Sequence, residues 1–221
     1  MSPVRERPSL REEQKALTRR RLLDAAEVVF AQRGFHGASV DEIAREAGAT
    51  TGALYSNFSG KEDLFLAMFE RSAQADVEDY TELFTTQGTP EERVRAVADR
   101  WMRILRERPH YFPLVIEFWA YAIREPRLRE PLAERFQTLR MGGARLIAQG
   151  AERHGIPLSP ELAQRLGLLI TALGNGLALE KLLDPDGIAD DTYGDLLTLI
   201  FRALGELART STTTTTGTTH E

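Results

Sequence analysis

The chain has 221 residues, of which 42% are hydrophobic and 28% are charged, so it can bury one large core or two small ones. It contains no cysteine, which excludes disulfides and cysteine-ligated zinc. The residues after Met1 are charged, and no uncharged apolar stretch reaches the roughly 18 residues that span a bilayer. We therefore expect a cytoplasmic protein without a membrane partner.

Positive charge is concentrated at the amino terminus. The formal net charge of the whole chain is −5, yet residues 1–21 carry seven arginines and lysines against three glutamates. A basic end on an acidic body is typical of a protein that orients on nucleic acid. We expect a basic arm over residues 1–17, partly disordered or helical. For residues 1–8 alone, a solvated tail is an equally good interpretation.

Two start signals compete for the first helix. Ser9 and Glu12 can form a capping box, whereas Thr18 can itself cap a shorter helix. The first alternative gives one long helix and the second gives an arm followed by a helix, and the pattern leaves both open. Gly34 is expected to end the helix. The apolar stripe before it consists of Leu22, Ala26, Val29 and Phe30.

Residues 39–58, SVDEIAREAGATTGALYSNF, predict two short helices joined by a tight turn. Ser39 and Glu42 can form a capping box, and apolar residues then recur at the spacing of one helix face. Gly48 stands where a helix commonly ends in a residue with positive φ, and a second helix can begin two or three residues later. This arrangement predicts a helix-turn-helix.

The segment from Arg20 to Met68 resembles the TetR family of transcriptional repressors. The matching pieces are AA-x-x-x-F-x-x-x-G-F, S-V-D-E-I-A, T-G-A-L-Y-x-x-F and K-E-x-L, in the family's order and spacing. The resemblance implies an all-α protein with a three-helix DNA-binding domain over residues 18–58. A helical regulatory and dimerisation domain follows over residues 59–209.

The same resemblance implies which residues contact double-stranded operator DNA. Thr51, Gly52 and Ser56 face bases, and the residues expected at phosphates are Ser39, Thr50, Tyr55, Asn57 and Lys61. Many members of the family carry Lys or Arg at position 51, so direct readout of guanine by a basic side chain is missing here. We expect specificity to rest more on the amino-terminal arginines, thymine methyl groups and DNA shape.

Turn and cap signals divide the rest of the chain into helices. Ser59 and Glu62 form a third possible capping box, and the helix that it opens is expected to couple the two domains. Later helices are predicted over residues 90–107, 110–124, 127–154, 160–183 and 190–209. The one over 110–124 is apolar nearly all round, so we expect it to be buried. The low-complexity residues 210–221 are expected to form a disordered tail.

Several side chains of the regulatory domain can line an apolar cavity for a small-molecule effector, although each taken alone is more often core. These candidates are Trp101, Met102, Phe112, Ile116, Trp119, Tyr121 and Met141. Glu117 lies within the apolar helix and needs a partner, either an arginine of the same domain or a cationic ligand. Asn175 is a lone amide in another apolar helix, where it bonds across an interface or contacts the ligand.

Wide apolar stripes along 160–183 and 190–209 favour a four-helix interface between two copies of the chain. A helix-turn-helix also requires dimerisation, because one recognition helix reads few base pairs. The four histidines are isolated and no catalytic or nucleotide-binding motif is present, so we expect no enzyme activity, catalytic residue, metal or cofactor.

These patterns lead to the hypothesis of a ligand-responsive repressor. It binds a palindromic operator as a homodimer, and a small apolar or aromatic effector releases it. The alternative is an all-helical ligand-carrier or interaction protein without sequence-specific DNA binding.

Overall fold

The computed structural model describes residues 9–85, 88–153 and 155–215. Within these residues it contains nine α-helices and no strand, so the predicted all-α class is confirmed. The helices are α1 (Leu10–Gly37), α2 (Val40–Glu46), α3 (Thr51–Tyr55), α4 (Lys61–Thr85), α5 (Pro90–Glu107), α6 (Tyr111–Ala122), α7 (Pro126–Arg153), α8 (Pro160–Leu183) and α9 (Thr192–Thr215).

Helix α1 begins at the first of the two predicted start signals. The Ser9 hydroxyl accepts a hydrogen bond from the Glu12 amide, and the Glu12 carboxylate accepts one from the Ser9 amide. Thr18 lies inside the helix, where its hydroxyl donates to the Gln14 carbonyl over 3.0 Å. The chain therefore has one long first helix. Residues 1–8 of the predicted arm lie outside the described residues.

Gly34 breaks α1 as predicted. It adopts φ +69° and ψ 174°, a conformation that is essentially restricted to glycine. One helical turn follows and ends at Gly37. The break releases the backbone amides that follow Gly34 from the hydrogen-bond ladder of the helix, so these amides need other acceptors.

Helices α2 and α3 form the predicted helix-turn-helix. Ser39 caps α2 through the reciprocal box with Glu42. Gly48 makes the turn at φ +59°, and the Thr50 hydroxyl caps α3 by accepting the Ala53 N–H over 3.1 Å.

The chain divides into two compact units. The first consists of residues 1–72 and 113–132, and the second consists of residues 73–112 and 133–221. This division differs from the boundary between residues 58 and 59 that the sequence suggests.

An aromatic cluster in the first unit explains this difference. Phe65 of α4 stacks on Phe118 of α6 with 4.1 Å between ring centroids. Phe30 and Phe35 of α1 each meet Phe65 edge-on at 5.4 Å. Residues 64–69 are all buried, so the beginning of α4 belongs to this core.

The start of α4 differs in detail from the predicted capping box. The Ser59 amide donates to the Asp63 carboxylate over 2.9 Å, so the acidic partner is one residue later than expected. Glu62 instead accepts the hydroxyl of Tyr121 over 3.2 Å. Tertiary contact with α6 thus removes Glu62 from the local motif.

The core of the second unit lies between α5, α8 and α9. Trp101 donates its indole N–H to the Gly174 carbonyl over 3.2 Å, and the Tyr193 hydroxyl donates to the Ile170 carbonyl over 3.1 Å. These bonds hold two successive turns of α8 against its neighbours. The buried members of this core are Val94, Ala98, Met102, Tyr193 and Leu197.

Helix α6 is not buried on every side, which contradicts the sequence-based expectation. Phe118 and Ala122 are fully buried, but Ile116 and Trp119 are half-buried, and Ile123 just beyond the helix is 66% exposed. A nearly uniform apolar sequence has no periodicity that would distinguish its inner side from its outer side.

Helix α9 ends later than predicted. It continues to Thr215, whereas the sequence favours an end near Arg209 and a disordered tail beyond it. The helix therefore includes residues 210–215 of the segment that the sequence predicts to be disordered. A helix that is already formed gains one hydrogen bond for each added residue, which allows threonines to extend it. Residues 216–221 lie outside the described part of the chain.

Helix α8 has an inner and an outer apolar side. Among the described residues it is the one helix long and apolar enough to cross a membrane by length and composition, a test that core helices of soluble proteins also pass. The buried residues of its inner side are Ala163, Leu166, Gly167, Gly174 and Ala178. Its outer side exposes Leu168, Leu169, Ala172, Gly176, Leu179 and Leu183.

Candidate nucleic-acid interface

Helix α3 has a buried anchor and an exposed polar side. Leu54 is fully buried, whereas Tyr55 is 57% exposed and Gly52 and Ser56 are also exposed. A Cβ added at Gly52 would meet no atom closer than 3.8 Å, so the space in front of this backbone is open. Apart from Tyr55, the exposed residues of this side are small, and this allows a close approach to base edges.

The polar side chains of this surface donate hydrogen bonds within the protein. The Thr51 hydroxyl donates to the Asp41 carboxylate of α2 over 2.8 Å. The Ser56 hydroxyl and the Asn57 side-chain amide both donate to the Ala53 carbonyl, each over 2.8 Å. Thr51 and Ser56 therefore present acceptor lone pairs outward more readily than donors, whereas the side-chain oxygen of Asn57 is buried.

Lys61 has partners inside the first unit that the sequence does not indicate. Its ammonium donates to the carbonyls of His36 and Ala38 over 3.3 and 3.0 Å. It also lies 4.7 Å from the centroid of the Phe35 ring. A cation is a favourable cap for carbonyls at the end of a helical turn. The phosphate contact of Lys61 stays a prediction, since an ammonium has three donors and these two bonds leave one.

Two arginines of α1 contact the helix-turn-helix directly. Arg19 donates to the Asn57 carbonyl over 3.0 Å, and its guanidinium lies 4.2 Å from the centroid of the Phe58 ring. Arg21 lies beside the turn, because a Cβ added at Gly48 would be 2.7 Å from its guanidinium nitrogen. Spacing along the sequence does not reveal these contacts and indicates only a basic segment.

Glu117 is bound by backbone amides and not by the arginine that the sequence offers as one possible partner. Its carboxylate accepts the N–H groups of Phe35 and His36, each over 2.9 Å. The break at Gly34 frees both amides, and a Cβ at Gly34 would lie only 2.8 Å from Glu117 Oε2. The expected arginine is wrong, and the carboxylate is not left unpaired for a cationic ligand. Glu117 instead holds α6 on the segment that precedes the helix-turn-helix.

The predicted ligand-lining residues are divided between the two units. Ile116, Glu117, Trp119 and Tyr121 belong to the first, and Trp101, Met102, Phe112, Met141 and Asn175 belong to the second. Trp101 meets Phe112 edge-on with 5.9 Å between ring centroids, and Met102 is buried in the core. Asn175 is half-buried. Contact of any of these residues with a ligand stays a prediction.

A cleft of about 440 Å³ lies between α7 and α8 of the second unit. Met141 is the predicted ligand residue that it contains. Most of its lining residues are polar or charged, but their apolar atoms provide most of the lining surface. The lining residues are Gln137, Arg140, Met141, Glu161, Gln164, Arg165 and Leu168.

Two family models match the chain. Residues 22–68 match the model of bacterial regulatory proteins of the tetR family. Residues 90–204, just over half of the chain, match the carboxy-terminal domain of BetI-type transcriptional repressors.

Individual relatives agree with these matches. The chain is 33% identical over 99 residues to the HTH-type transcriptional activator FasR of Mycolicibacterium smegmatis. The match covers 45% of this chain and 45% of FasR, which is less than half the length of that relative. The structure of FadR from Bacillus subtilis in complex with stearoyl-CoA has a TM-score of 0.60 at 21% identity, covering 86% of this chain and 96% of that one. A regulator from Saccharomonospora viridis in complex with choline has a TM-score of 0.59 at 21% identity, covering 83% and 95%. These two structures show the fold alone. The chain belongs to the TetR family of bacterial transcriptional regulators.

Proposed function

We propose that this regulator is a cytoplasmic, ligand-responsive repressor that binds a palindromic operator as a homodimer. The observation that carries the proposal is the geometry of α3. Leu54 anchors the helix in the first unit, while Gly52, Tyr55 and Ser56 are exposed on the outer side of the helix-turn-helix. This side has room for the edges of bases in a major groove.

The proposed dimer buries the outer side of α8 against the same surface of a second copy. Leu168 is 53% exposed and Leu179 is 42% exposed, and the small residues Ala172 and Gly176 lie between them on the same side. Small residues allow two helices to approach closely. A two-fold axis pairs such a strip with its own image and spaces two recognition helices for a palindrome. Leu173 packs inward on the second unit's core and is not part of this strip.

The proposed effector is a small apolar or aromatic molecule bound in the second unit, beside Trp101 and Phe112. Their edge-on contact at 5.9 Å and the half-buried position of Trp101 support this choice. The stearoyl-CoA and choline in the related structures differ in charge and length, so similarity alone does not select a ligand class. Any effector shifts DNA binding only by its difference in affinity for the two states of the regulator.

A mobility-shift experiment with DNA flanking the regulator's own gene tests DNA binding and dimerisation together. The wild-type protein should bind a palindrome, with an affinity that falls steeply as salt rises. Leu168→Arg/Leu179→Arg should sediment as a helical monomer and lose operator binding, because unpaired charge is costly in a desolvated interface. Ile123→Arg, at a site 66% exposed outside α8, is the matched control and should remain a dimer.

The outcomes separate the hypotheses. A folded wild-type protein that shifts no sequence specifically would favour the ligand-carrier alternative. A folded double variant that remains dimeric would contradict the α8 interface. Adding stearoyl-CoA, choline or the neutral aromatic 1-naphthol to the complex then tests the effector. Release by the aromatic compound supports the proposal, and release by choline alone contradicts it.

A further inference from the structure

The hydroxyl of Thr51 is the one base-facing candidate whose donor is held by a charged group. It donates to Asp41 Oδ1 over 2.8 Å, which joins the first turn of α2 to the start of α3. Thr51 is half-buried at the margin of the exposed side of α3, and Asp41 is exposed. A hydrogen bond to a carboxylate is roughly twice as strong as one between neutral groups. The bond from Ser56 to the Ala53 carbonyl is of the weaker, neutral kind.

This bond fixes the chemistry that Thr51 can offer to a base. A threonine hydroxyl has one hydrogen and two acceptor lone pairs. Since Asp41 takes the hydrogen, the oxygen of Thr51 faces the groove as an acceptor, accompanied by the γ-methyl group. The carboxylate of Asp41 provides a further acceptor beside the Thr51 oxygen.

The major groove presents different partners at each base. Adenine and cytosine carry an amino group there, which donates to an acceptor, whereas guanine presents the acceptors N7 and O6. An acceptor-only threonine next to a carboxylate therefore attracts an amino group. At guanine, the acceptor oxygens of this pair would meet the acceptors N7 and O6, which is unfavourable.

We propose that Asp41 and Thr51 form a specificity-determining pair that selects an adenine or cytosine amino group and rejects guanine at the base facing Thr51. The proposal rests on the proposed binding of operator DNA. Within the pair, Thr51 contacts the base and Asp41 is a positioning residue that acts through it.

Selection from a library of randomised operators, followed by sequencing, tests the pair. At one position in each half-site the wild type should disfavour guanine by about 5- to 10-fold, a typical effect of a single good base contact. Asp41→Ala and Thr51→Val should both lose this preference and keep the others. Thr51→Ser, which retains the hydroxyl, should preserve it.

A charge control separates readout from general repulsion of DNA. Glu46 is an exposed acid at the end of α2, and Glu46→Ala should change affinity for all sequences about equally. Melting curves identify any variant that fails to fold, and the Thr51→Val and Thr51→Ser pair then decides the outcome if Asp41→Ala is unstable.

If the wild type enriches an operator, but its base preferences are the same in Asp41→Ala and Thr51→Val, the proposal for the pair is wrong while the proposed function stands. Guanine at the position that these variants change would overturn the proposal for the pair as well. Enrichment of no sequence by the wild type would overturn the proposed function and the pair together.

Discussion

Replacing Glu117 by alanine removes both acceptors from the amides that follow the break in α1. The carboxylate accepts Phe35 N–H and His36 N–H over 2.9 Å each, and these bonds connect α6 to α1 across more than 80 residues of sequence. Truncation leaves the two N–H groups without a protein acceptor. The expected result is a loss of stability in the first unit rather than a change in ligand preference.

The magnitude follows from the surroundings of the two bonds. A hydrogen bond to a charged group contributes about 1.5–3 kcal/mol, and the higher values apply to buried groups. The bond from Phe35 is partly buried and the bond from His36 is exposed, so water can replace the second. We expect Glu117→Ala to lower the free energy of unfolding by about 2–3 kcal/mol. Glu117→Gln keeps one acceptor oxygen and should cost about half as much.

Gly34→Ala provides an independent measure of the same contact. Its φ of +69° with ψ of 174° costs a residue with a Cβ about 1–3 kcal/mol. The added Cβ would also lie 2.8 Å from Glu117 Oε2. In the Glu117→Ala background this clash disappears. The double variant should therefore be less destabilised than the two single effects together, by about 1 kcal/mol.

Urea denaturation followed by circular dichroism measures these values, and hydrogen exchange at the His36 amide reports the bond locally. Glu125→Gln is the matched control, because Glu125 makes an exposed pair with Arg127 at 3.7 Å. Such a pair should change stability by less than about 1 kcal/mol. A Glu117→Ala variant as stable as this control, or an additive double variant, would refute the reasoning.

Two further predictions concern charged groups with internal partners. Lys61→Ala should lower the free energy of unfolding by about 1 kcal/mol, because it removes the cap on the His36 and Ala38 carbonyls. Urea denaturation measures this loss. If the slope of log affinity for DNA against log salt also falls by about one, Lys61 contacts a phosphate as well. Burial raises the pKa of Asp76 above its ordinary value even though Arg108 and Arg100 lower it. A carboxyl with a raised folded pKa favours folding when protonated, and this contribution is lost as pH rises through that pKa. Asp76→Asn should therefore raise the melting temperature at pH 7 but not at pH 3, and an increase at both would contradict the assignment.

Local signals account for most of the fold that the sequence predicts correctly. The caps at Ser9 and Ser39 each act over three residues, and the structure has both. Gly34 and Gly48 adopt positive φ where the sequence requires a break or a turn. These features need only neighbouring residues, so they can be inferred before any tertiary structure is known.

The partners of the site residues depend on contacts between distant segments. Lys61 binds a carbonyl 23 residues earlier, and Thr51 binds a carboxylate 10 residues earlier. The family resemblance predicts that both residues contact DNA, but it does not indicate these partners within the protein. Side-chain patterns do not show backbone donors, which is why the sequence predicts an arginine or a cationic ligand as the partner of Glu117. Spacing cannot supply such pairings, because any residue can provide the backbone group.

The charges at positions 61 and 117 match the polarity of the backbone of residues 35–38, at the end of α1. Glu117 lies on the amide side of this segment and accepts N–H groups, while Lys61 lies on the carbonyl side and donates to C=O groups. With the two charges exchanged, a carboxylate at position 61 would face carbonyl oxygens and an ammonium at position 117 would face N–H groups. A charge swap therefore cannot restore either contact. Each charge therefore matches the backbone groups that it contacts, and neither contact depends on attraction between the two side chains.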